Sequence, residues 1–491
     1  HTMATEIELK LQLTAQTARQ VPAHPLLAGI KPQTQRLLNT YYDTPALDLN
    51  ARRIGLRFRK KGAQWLLTVK SAATVSGGLA LRHEWEKPAK PGQFDFSHID
   101  EPDFRVALEQ ALPRLQAMFT TDFRRTTWNV PFGESLIEMA LDQGSIKCTG
   151  HAIRICEIEL ELISGVIGDI FALSHHLQET LDLRPAVMSK AERGYALFSE
   201  TPQKPFRAKA AALRAEMSPV NAFRAIALSC LEQFQRNEYG LLTANKDPEY
   251  VHQGRVALRR LRSALKLFAP VLPPDFVATY GQAWQGLASG LGDARNWDVF
   301  LSETLPPILA AFPDHRDARR LQAEAVRHAQ QARTAAAHLV AQPDYPRLVV
   351  DFTAALYGLQ DRQALKLRKF ASKRLCNRAR QARLLAERAA ELQPEERHEL
   401  RICFKKLRYA VEFFTPLLVP NRLRSYLASL TQIQDELGLI NDQVTAGTLV
   451  GQALANRPAG PVHGWVAGRH ELLAHELPEA LATWLAQKAP W

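Results

Sequence analysis

Glu6-Ile7-Glu8-Leu9-Lys10-Leu11 alternates charged and apolar residues without a break. Side chains of an extended strand point alternately to opposite faces, so Glu6, Glu8 and Lys10 share one face and Ile7, Leu9 and Leu11 the other. The alternation returns downstream. Arg57 and Arg59 flank Phe58, and Thr68 and Lys70 alternate with Leu67 and Val69. Arg82, Glu84 and Glu86 alternate with His83 and Trp85, and Glu157, Glu159 and Glu161 with Ile158, Leu160 and Leu162. In an ordinary half-buried sheet these charges would face water. That explains any one strand but not the set, because some strands carry only acids along one face and others only bases. Like charges on one strand repel unless a counter-ion joins them. Clustered carboxylates suit a hard divalent cation such as Mg²⁺ or Mn²⁺, and clustered Arg and Lys suit phosphate oxygens. Closing the sheet with these faces inward would place both clusters in one polar tunnel fit for a metal-bound polyphosphate.

The texture of the chain changes near residue 200. Before it, short alternating segments lie between turn signals such as Gly77-Gly78, Asp142-Gln143-Gly144 and Gly165 to Gly168, which is β-rich punctuation. After it come long Ala/Leu/Arg stretches at helical spacing. Thr201-Pro202-Gln203-Lys204-Pro205 reads as part of a linker over 201–217, and Ser218-Pro219 as an N-cap followed by proline at the first helical position. The expected division is a domain over 1–200 and a helical domain over 218–491. Residues 1–203 carry 23 Lys+Arg and 23 Asp+Glu, so the whole net charge of +12 lies in residues 204–491. A basic half beside a neutral one points to a polyanionic partner. No apolar run is long enough to cross a bilayer. His1 and Thr2 before Met3 read as an expression scar, and no signal segment follows. Five scattered cysteines with no C-x-x-C pair indicate neither a disulfide framework nor a zinc site, which fits a reducing cytoplasm.

The basic half repeats itself. His252-Gln-Gly-Arg255-Val-Ala-Leu-Arg259-Arg260-Leu261-Arg262 matches His398-Glu-Leu-Arg401-Ile-Cys-Phe-Lys405-Lys406-Leu407-Arg408, and the same offset holds at Phe268/Phe414, Pro270/Pro416 and Leu291-Gly292/Leu437-Gly438. On a helical wheel His252, Arg255, Arg259 and Arg262 fall opposite Ala257, Leu258, Leu261 and Leu265. His398, Arg401, Lys405 and Arg408 fall opposite Phe404, Leu407 and Val411. Lys366, Lys369, Lys373 and Arg380 form a third basic stripe. Solvated helix faces usually place an acid four residues from each base, and these stripes have almost none before Glu412. An anion lying between the helices would relieve their repulsion.

Together these residues resemble two known families. Glu6-x-Glu8-x-Lys10, Tyr41-Tyr42-Asp43-Thr44-Pro45, Arg57-Phe58-Arg59, Thr68-Val69-Lys70, Arg82-x-Glu84-x-Glu86, Asp122-Phe123-Arg124-Arg125, Leu141-Asp142-x-Gly144, Glu157-x-Glu159-x-Glu161 and Ser189-Lys190-Ala-Glu-Arg193-Gly194-Tyr195 follow, in order, the pattern of the CYTH superfamily, or triphosphate tunnel metalloenzymes. That resemblance implies an eight-stranded antiparallel tunnel with flanking helices. It implies metal ligation by Glu6, Glu8, Asp142, Glu157, Glu159 and Glu161, triphosphate contacts from Lys10, Arg57, Arg59, Lys70, Arg82, Arg125 and Lys190, and catalytic roles for Glu6, Glu8 and Lys10. Arg125, rather than its neighbour Arg124, is taken as the inward residue. The repeated His-x-x-Arg-x-x-x-[Arg/Lys]-[Arg/Lys]-Leu-Arg followed by Leu-Gly resembles the conserved histidine α-helical domain, CHAD. That implies two pseudo-symmetric four-helix bundles and polyphosphate binding through His252, Arg255, Arg259, Arg262, Lys366, Lys369, Lys373, His398, Arg401, Lys405 and Arg408. The order CYTH then CHAD is similar to long-form bacterial inorganic triphosphatases.

The expectation is therefore an α+β multidomain cytoplasmic enzyme, associated through its basic half with polyphosphate granules. It would hydrolyse inorganic tripolyphosphate with Mg²⁺ or Mn²⁺ and bind long-chain polyphosphate. The alternatives are a thiamine or nucleoside triphosphatase, and a non-catalytic polyphosphate-binding protein. Neither a membrane nor a nucleic acid is expected as partner: the basic helices bring few aromatics for base stacking and no groove-reading motif.

Overall fold

A computed structural model of the chain describes residues 4–71, 74–76, 78–361, 365–455 and 460–491. Its strands are β1 (Ala4–Gln12), β2 (Gln33–Asp43), β3 (Gly55–Lys61), β4 (Gln64–Lys70), β5 (Thr74–Ser76), β6 (Leu79–Pro88), β7 (Gln116–Phe132), β8 (Ser135–Cys148), β9 (His151–Ser164) and β10 (Arg184–Pro185). The order β1-β9-β8-β7-β2-β3-β4-β6 returns on itself because β6 also pairs with β1, so eight antiparallel strands close into a barrel. The short strands β5 and β10 add to β6 and β1 outside that ring.

The barrel is polar inside and apolar outside. Leu9, Leu11, Leu141, Ile158 and Leu160 pack outward beneath Ile170, Phe171 and Leu177 of the helix Ile167–Gln178. Leu56, Phe58, Leu67, Val69 and Trp85 pack outward with Ala107, Leu108 and Ala111 of the helix Pro102–Ala111. Each fully buried side chain of this kind contributes about 1.5–3 kcal/mol, so the hydrophobic stabilisation is carried by the outer layer and the lumen is left to the charged faces.

By contact the chain forms two units, residues 1–204 with 343–358, and residues 205–342 with 359–491. The helix Asp344–Gly358 lies by sequence inside the basic half yet packs on the barrel unit, which the expected 218–491 boundary did not anticipate. Val350 enters the outer core, Tyr357 packs against it, and Arg347 donates to the Gln178 carbonyl at 2.9 Å.

The second unit is helical and shows its repeat in the packing. The helix Pro248–Leu267 packs against Pro219–Arg236 and Pro274–Gly290, and its counterpart Pro394–Phe414 packs against Leu367–Ala386 and Pro420–Ala453. The two central helices also contact each other. The copies diverge at Leu-Gly: the first breaks at Leu291 before the helix Gly292–Val299, whereas the second runs through Leu437-Gly438 inside one 34-residue helix.

Candidate functional site

The β1 alternation turns Glu6, Glu8 and Lys10 into the lumen, where they meet charges from the neighbouring strand β6 and, beyond it, from β4. Lys70 Nζ on β4 lies 2.9 Å from Glu6 and 3.4 Å from Glu84, crossing β6 to do so. Arg82 Nη2 stands 3.0 Å from Glu8 Oε1 without hydrogen-bond alignment, and Lys10 Nζ is 3.2 Å from the same oxygen. Burial acts to raise the Glu8 carboxyl, but Lys10, Arg82 and Lys70 outweigh it and hold it down at about 2. On the basic side, Arg57 donates to the Tyr41 hydroxyl at 3.1 Å and lies 3.6 Å from Glu84. Arg59 donates to the Asn39 side-chain carbonyl at 2.8 Å and has no carboxylate within ion-pair distance among the described residues. Burial, then Arg57 and Arg125, push its guanidinium down to about 10. Arg59 is thus a nearly buried cation whose surroundings call for an anion.

Two carboxylate groups line the lumen. In the first, oxygens of Asp142, Glu157 and Glu159 lie within 4.8 Å of one another, all buried. Hard oxygen donors so spaced suit a divalent cation by chemistry, yet cations already answer them. Lys190 Nζ is 2.7 Å from Asp142 and 2.6 Å from Glu159 and also bonds Glu157, Arg125 holds Asp142 with both arms at 2.7 Å and reaches Glu159, and Arg193 lies 3.5 Å from Glu157. In the second group, Glu161 opposes Glu8 across β1–β9 and Glu138 across β8–β9. Burial, then Glu6, Glu8 and Glu138, push the Glu161 carboxyl up to about 7. Here Lys70, Lys10 and Arg82 already answer Glu6 and Glu8, so the acid excess rests on Glu138 and Glu161, and Glu8 Oε1 accepts no aligned hydrogen bond although buried. Among the described residues the triad is the one group whose carboxylate oxygens stand close enough to share an ion, and Glu6, Glu8 and Glu161 lie on the same lumen beside it.

Lys190 begins the helix Lys190–Phe198, which Ser189 caps by accepting from the Glu192 N–H. The helix sits on Tyr41, Phe119 and Phe123. Tyr195 donates to Asp43 at 3.0 Å, and Lys190 Nζ stands 5.0 Å from the Phe123 ring centre. A Cβ on Gly194 would come within 2.1 Å of the Phe119 ring, so only glycine allows this approach. Arg124 is exposed beside Gln143, and Arg125 faces the lumen. Asn39 and Glu138 reach the lumen charges without having been singled out in the sequence, and Tyr41, Glu84 and Arg193, quoted there within motifs, without having been given a role. Their inward alternation with the chosen residues was the available signal for Glu84 and Tyr41. Glu138 could be placed only by β8–β9 register.

In the helical unit, His252, Arg255, Arg259 and Arg262 line a groove of about 840 Å³ with Arg401, Lys405, Lys406 and Arg408. Arg295 joins them, a residue the stripes did not include. Among the described residues, Arg408 is the groove cation with a close carboxylate, Glu412 at 2.8 Å. Burial, then Arg295, push His252 down to about 4, so it is neutral in the free groove. Arg260 turns into the core, donating to Gln233 at 2.8 Å and lying over Phe413. His398 and the third stripe depart from expectation. His398, Lys366, Lys369 and Lys373 are exposed and do not line the groove; the residues of that helix facing the bundle include Arg374, which donates to the Leu267 carbonyl at 2.9 Å. The wheel put the lysines on a basic face, but the phase of the Leu367–Ala386 helix, set by Leu367, Phe370, Ala371 and Leu375 in the core, points that face to solvent, and His398 lies in Pro394–Phe414 before its buried residues begin at Leu400. No helix among the described residues is long and apolar enough to cross a membrane.

Comparison with known proteins agrees with this division. The CYTH domain profile matches residues 4–195 and the CHAD domain profile residues 225–451. An inorganic triphosphatase of Haemophilus influenzae is 34% identical over 209 residues, 40% of this chain, and the chain spans 56% of that protein's length. The crystal structure of the CHAD domain from the plant Ricinus communis aligns with a TM-score of 0.53 at 34% identity, over 59% of this chain and 99% of that one. A Hippeastrum protein with a dominant triphosphatase activity aligns over 41% of this chain and 98% of its own at 20% identity and a TM-score of 0.32. The chain carries a CYTH domain in its barrel and belongs, over its helical half, to the CHAD family.

Proposed function

We propose that the barrel hydrolyses inorganic tripolyphosphate to diphosphate and phosphate with a divalent cation, Mg²⁺ or Mn²⁺, and that the helical groove binds long-chain polyphosphate. The observation that carries the first part is the enclosure of unlike charge clusters on one lumen: Glu6, Glu8, Glu138 and Glu161 with acids in excess, and Arg57 and Arg59 with bases in excess. The 34% identity to an inorganic triphosphatase supports it. Carboxylates of the set Glu6, Glu8, Asp142, Glu157, Glu159 and Glu161 would hold the cation, the closest-spaced being Asp142, Glu157 and Glu159. When bound, it would neutralise phosphate charge and render water a stronger nucleophile. Arg59, Arg57, Lys70, Arg82 and Arg125 would bind the phosphate oxygens and fix the chain in line for attack, since phosphoryl transfer depends mainly on positioning and charge neutralisation. Asn39 and Tyr41 orient Arg59 and Arg57 for this. Lys190, bonded to three carboxylates, holds its helix against the barrel, and Lys10 keeps Glu8 ionised.

A phosphate-release assay tests the proposal. Tripolyphosphate should be cleaved with a higher kcat/KM than ATP or thiamine triphosphate, EDTA should stop release, and Mg²⁺ or Mn²⁺ should restore it. Full release in chelator, or a clear preference for either organic triphosphate, overturns it. The groove is tested separately by titrating the full chain with labelled long-chain polyphosphate.

A further inference from the structure

The repeat brings non-identical cations to the centre of the groove. Arg259 and Lys405 occupy equivalent positions of the two copies, on helices that contact each other, and both line the cavity. Arg255 and Arg401, the equivalent pair one turn earlier, are both arginine and also line it. Four cations therefore converge with no carboxylate within ion-pair distance of any of them among the described residues. An arginine does not give up its proton at physiological pH, whereas a lysine does when crowded or buried. Lys405 is the one member of this set that can relieve the repulsion by discharging.

We propose that Lys405 is a proton-linked sensor of anion occupancy: neutral in the free groove, and taking up a proton as a phosphate polyanion settles against Arg255, Arg259 and Arg401. This rests on the groove being a polyphosphate site. The surroundings favour discharge from nearly every side. The helix Pro248–Leu267 presents His252, Arg255, Arg259, Arg262 and Lys266. Lys405's own helix adds Arg401, Lys406 and Arg408, of which Arg408 is engaged by Glu412, and Gly292–Val299 adds Arg295. Against them stand Glu303 on the π-helical segment Phe300–Thr304 and Asp435 and Asp442 on Pro420–Ala453. Burial and then Glu303 raise the Asp442 carboxyl, which weakens its pull. The balance, led by burial and then by Arg259, Arg401 and Arg255, pushes Lys405 down to about 6. A bound polyanion reverses the balance and raises it.

The sign follows. Below about pH 6 Lys405 is charged with or without ligand and adds no pH dependence. Above it, each binding event takes up a proton, so affinity falls by about tenfold per pH unit until the bound-state pKa is passed. His252, pushed down to about 4, is neutral in the free groove across this window, and any proton it takes up beside the polyanion would persist in both Lys405 variants and so not distinguish them.

The test is the dissociation constant of the full chain for long-chain polyphosphate from pH 5.5 to 8.5, at fixed ionic strength with EDTA present. Most phosphates of such a chain are internal and remain ionised throughout. Wild type should weaken with pH. Lys405→Arg should be nearly flat, equal to wild type at pH 5.5, and tighter than it at pH 8 by between about tenfold and a hundredfold. Lys405→Met, which cannot charge at any pH, should also be flat and should converge with wild type at high pH. It decides the matter alone if the arginine variant does not fold. If wild type binds with the same pH slope as both variants, the groove is a polyphosphate site but Lys405 is not its sensor. If wild type binds no polyphosphate at any pH, the proposed use of the groove falls, and this inference with it.

Discussion

Replacing Lys190 by Met should destabilise the barrel unit in a way that only its ion network explains. The ammonium bonds Asp142 at 2.7 Å, Glu159 at 2.6 Å and Glu157, and Asp142 and Glu157 are completely inaccessible to solvent. Burial alone would push the Glu159 carboxyl up, and Lys190 is the largest of the charges that hold it well below the ordinary range. Methionine nearly preserves the volume, so the loss is electrostatic. Arg125 and Arg193 remain, leaving about one carboxylate charge uncompensated, and removing one partner of a buried ion pair costs about 3–5 kcal/mol. Carboxylates held low contribute stability above their unfolded pKa that disappears as pH falls. The deficit of the variant should therefore be full at pH 7 and should close towards pH 4, where protonation removes the unpaired charge. Denaturant unfolding across that range, followed by tryptophan fluorescence, reads it. Adding Glu157→Gln should recover more than half of the loss, because it deletes the stranded charge. A Lys190→Met chain within about 1 kcal/mol of wild type at pH 7, or a deficit that grows on acidification, would refute the assignment of Lys190 as the counter-ion of the triad.

Glu161 gives the opposite sign: a carboxyl raised to about 7 costs stability above its unfolded pKa and none below it, so in EDTA Glu161→Gln should be more stable than wild type at pH 8 by about 1 kcal/mol after screening, and equal at pH 4, as calorimetry would show. Glu6→Gln with Glu8→Gln should lower phosphate release from tripolyphosphate by about a hundredfold or more while near-native circular dichroism is kept; unchanged release would remove these residues from the site. Gly194→Ala forces a Cβ into the Phe119 ring and should cost about 1–3 kcal/mol, read as a fall in the unfolding midpoint. Changing Arg255, Arg259, Arg401 and Lys405 together to Ala should remove most polyphosphate affinity and flatten its salt dependence, because fewer counterions are released; an unaltered salt slope in a polyphosphate titration would place binding elsewhere.

Alternation in β1, β3, β4, β6 and β9 was enough to assign those strands and to pick out their charged faces, because a period of two leaves each side chain one of two faces and the charge decides which is unusual; Arg125, Asp142 and Lys190 were named only by the family resemblance. The helical repeat was legible for a related reason: a long unbroken offset with matching charge types copies one helix face onto another. Register and phase were not legible. That Asp142, Glu157 and Glu159 belong to Lys190, while Glu138 joins Glu8 and Glu161, depends on which residues β8 and β9 place opposite one another. That Lys366, Lys369, Lys373 and His398 face solvent depends on how far their helices are rotated about their axes. That Asp344–Gly358 packs on the barrel unit depends on long-range burial of Val350 and Tyr357. Local pattern determines which face of an element is charged, since that is written in residues a few positions apart. What a charged face meets is set by the packing of distant apolar surfaces, and only the tertiary structure decides it.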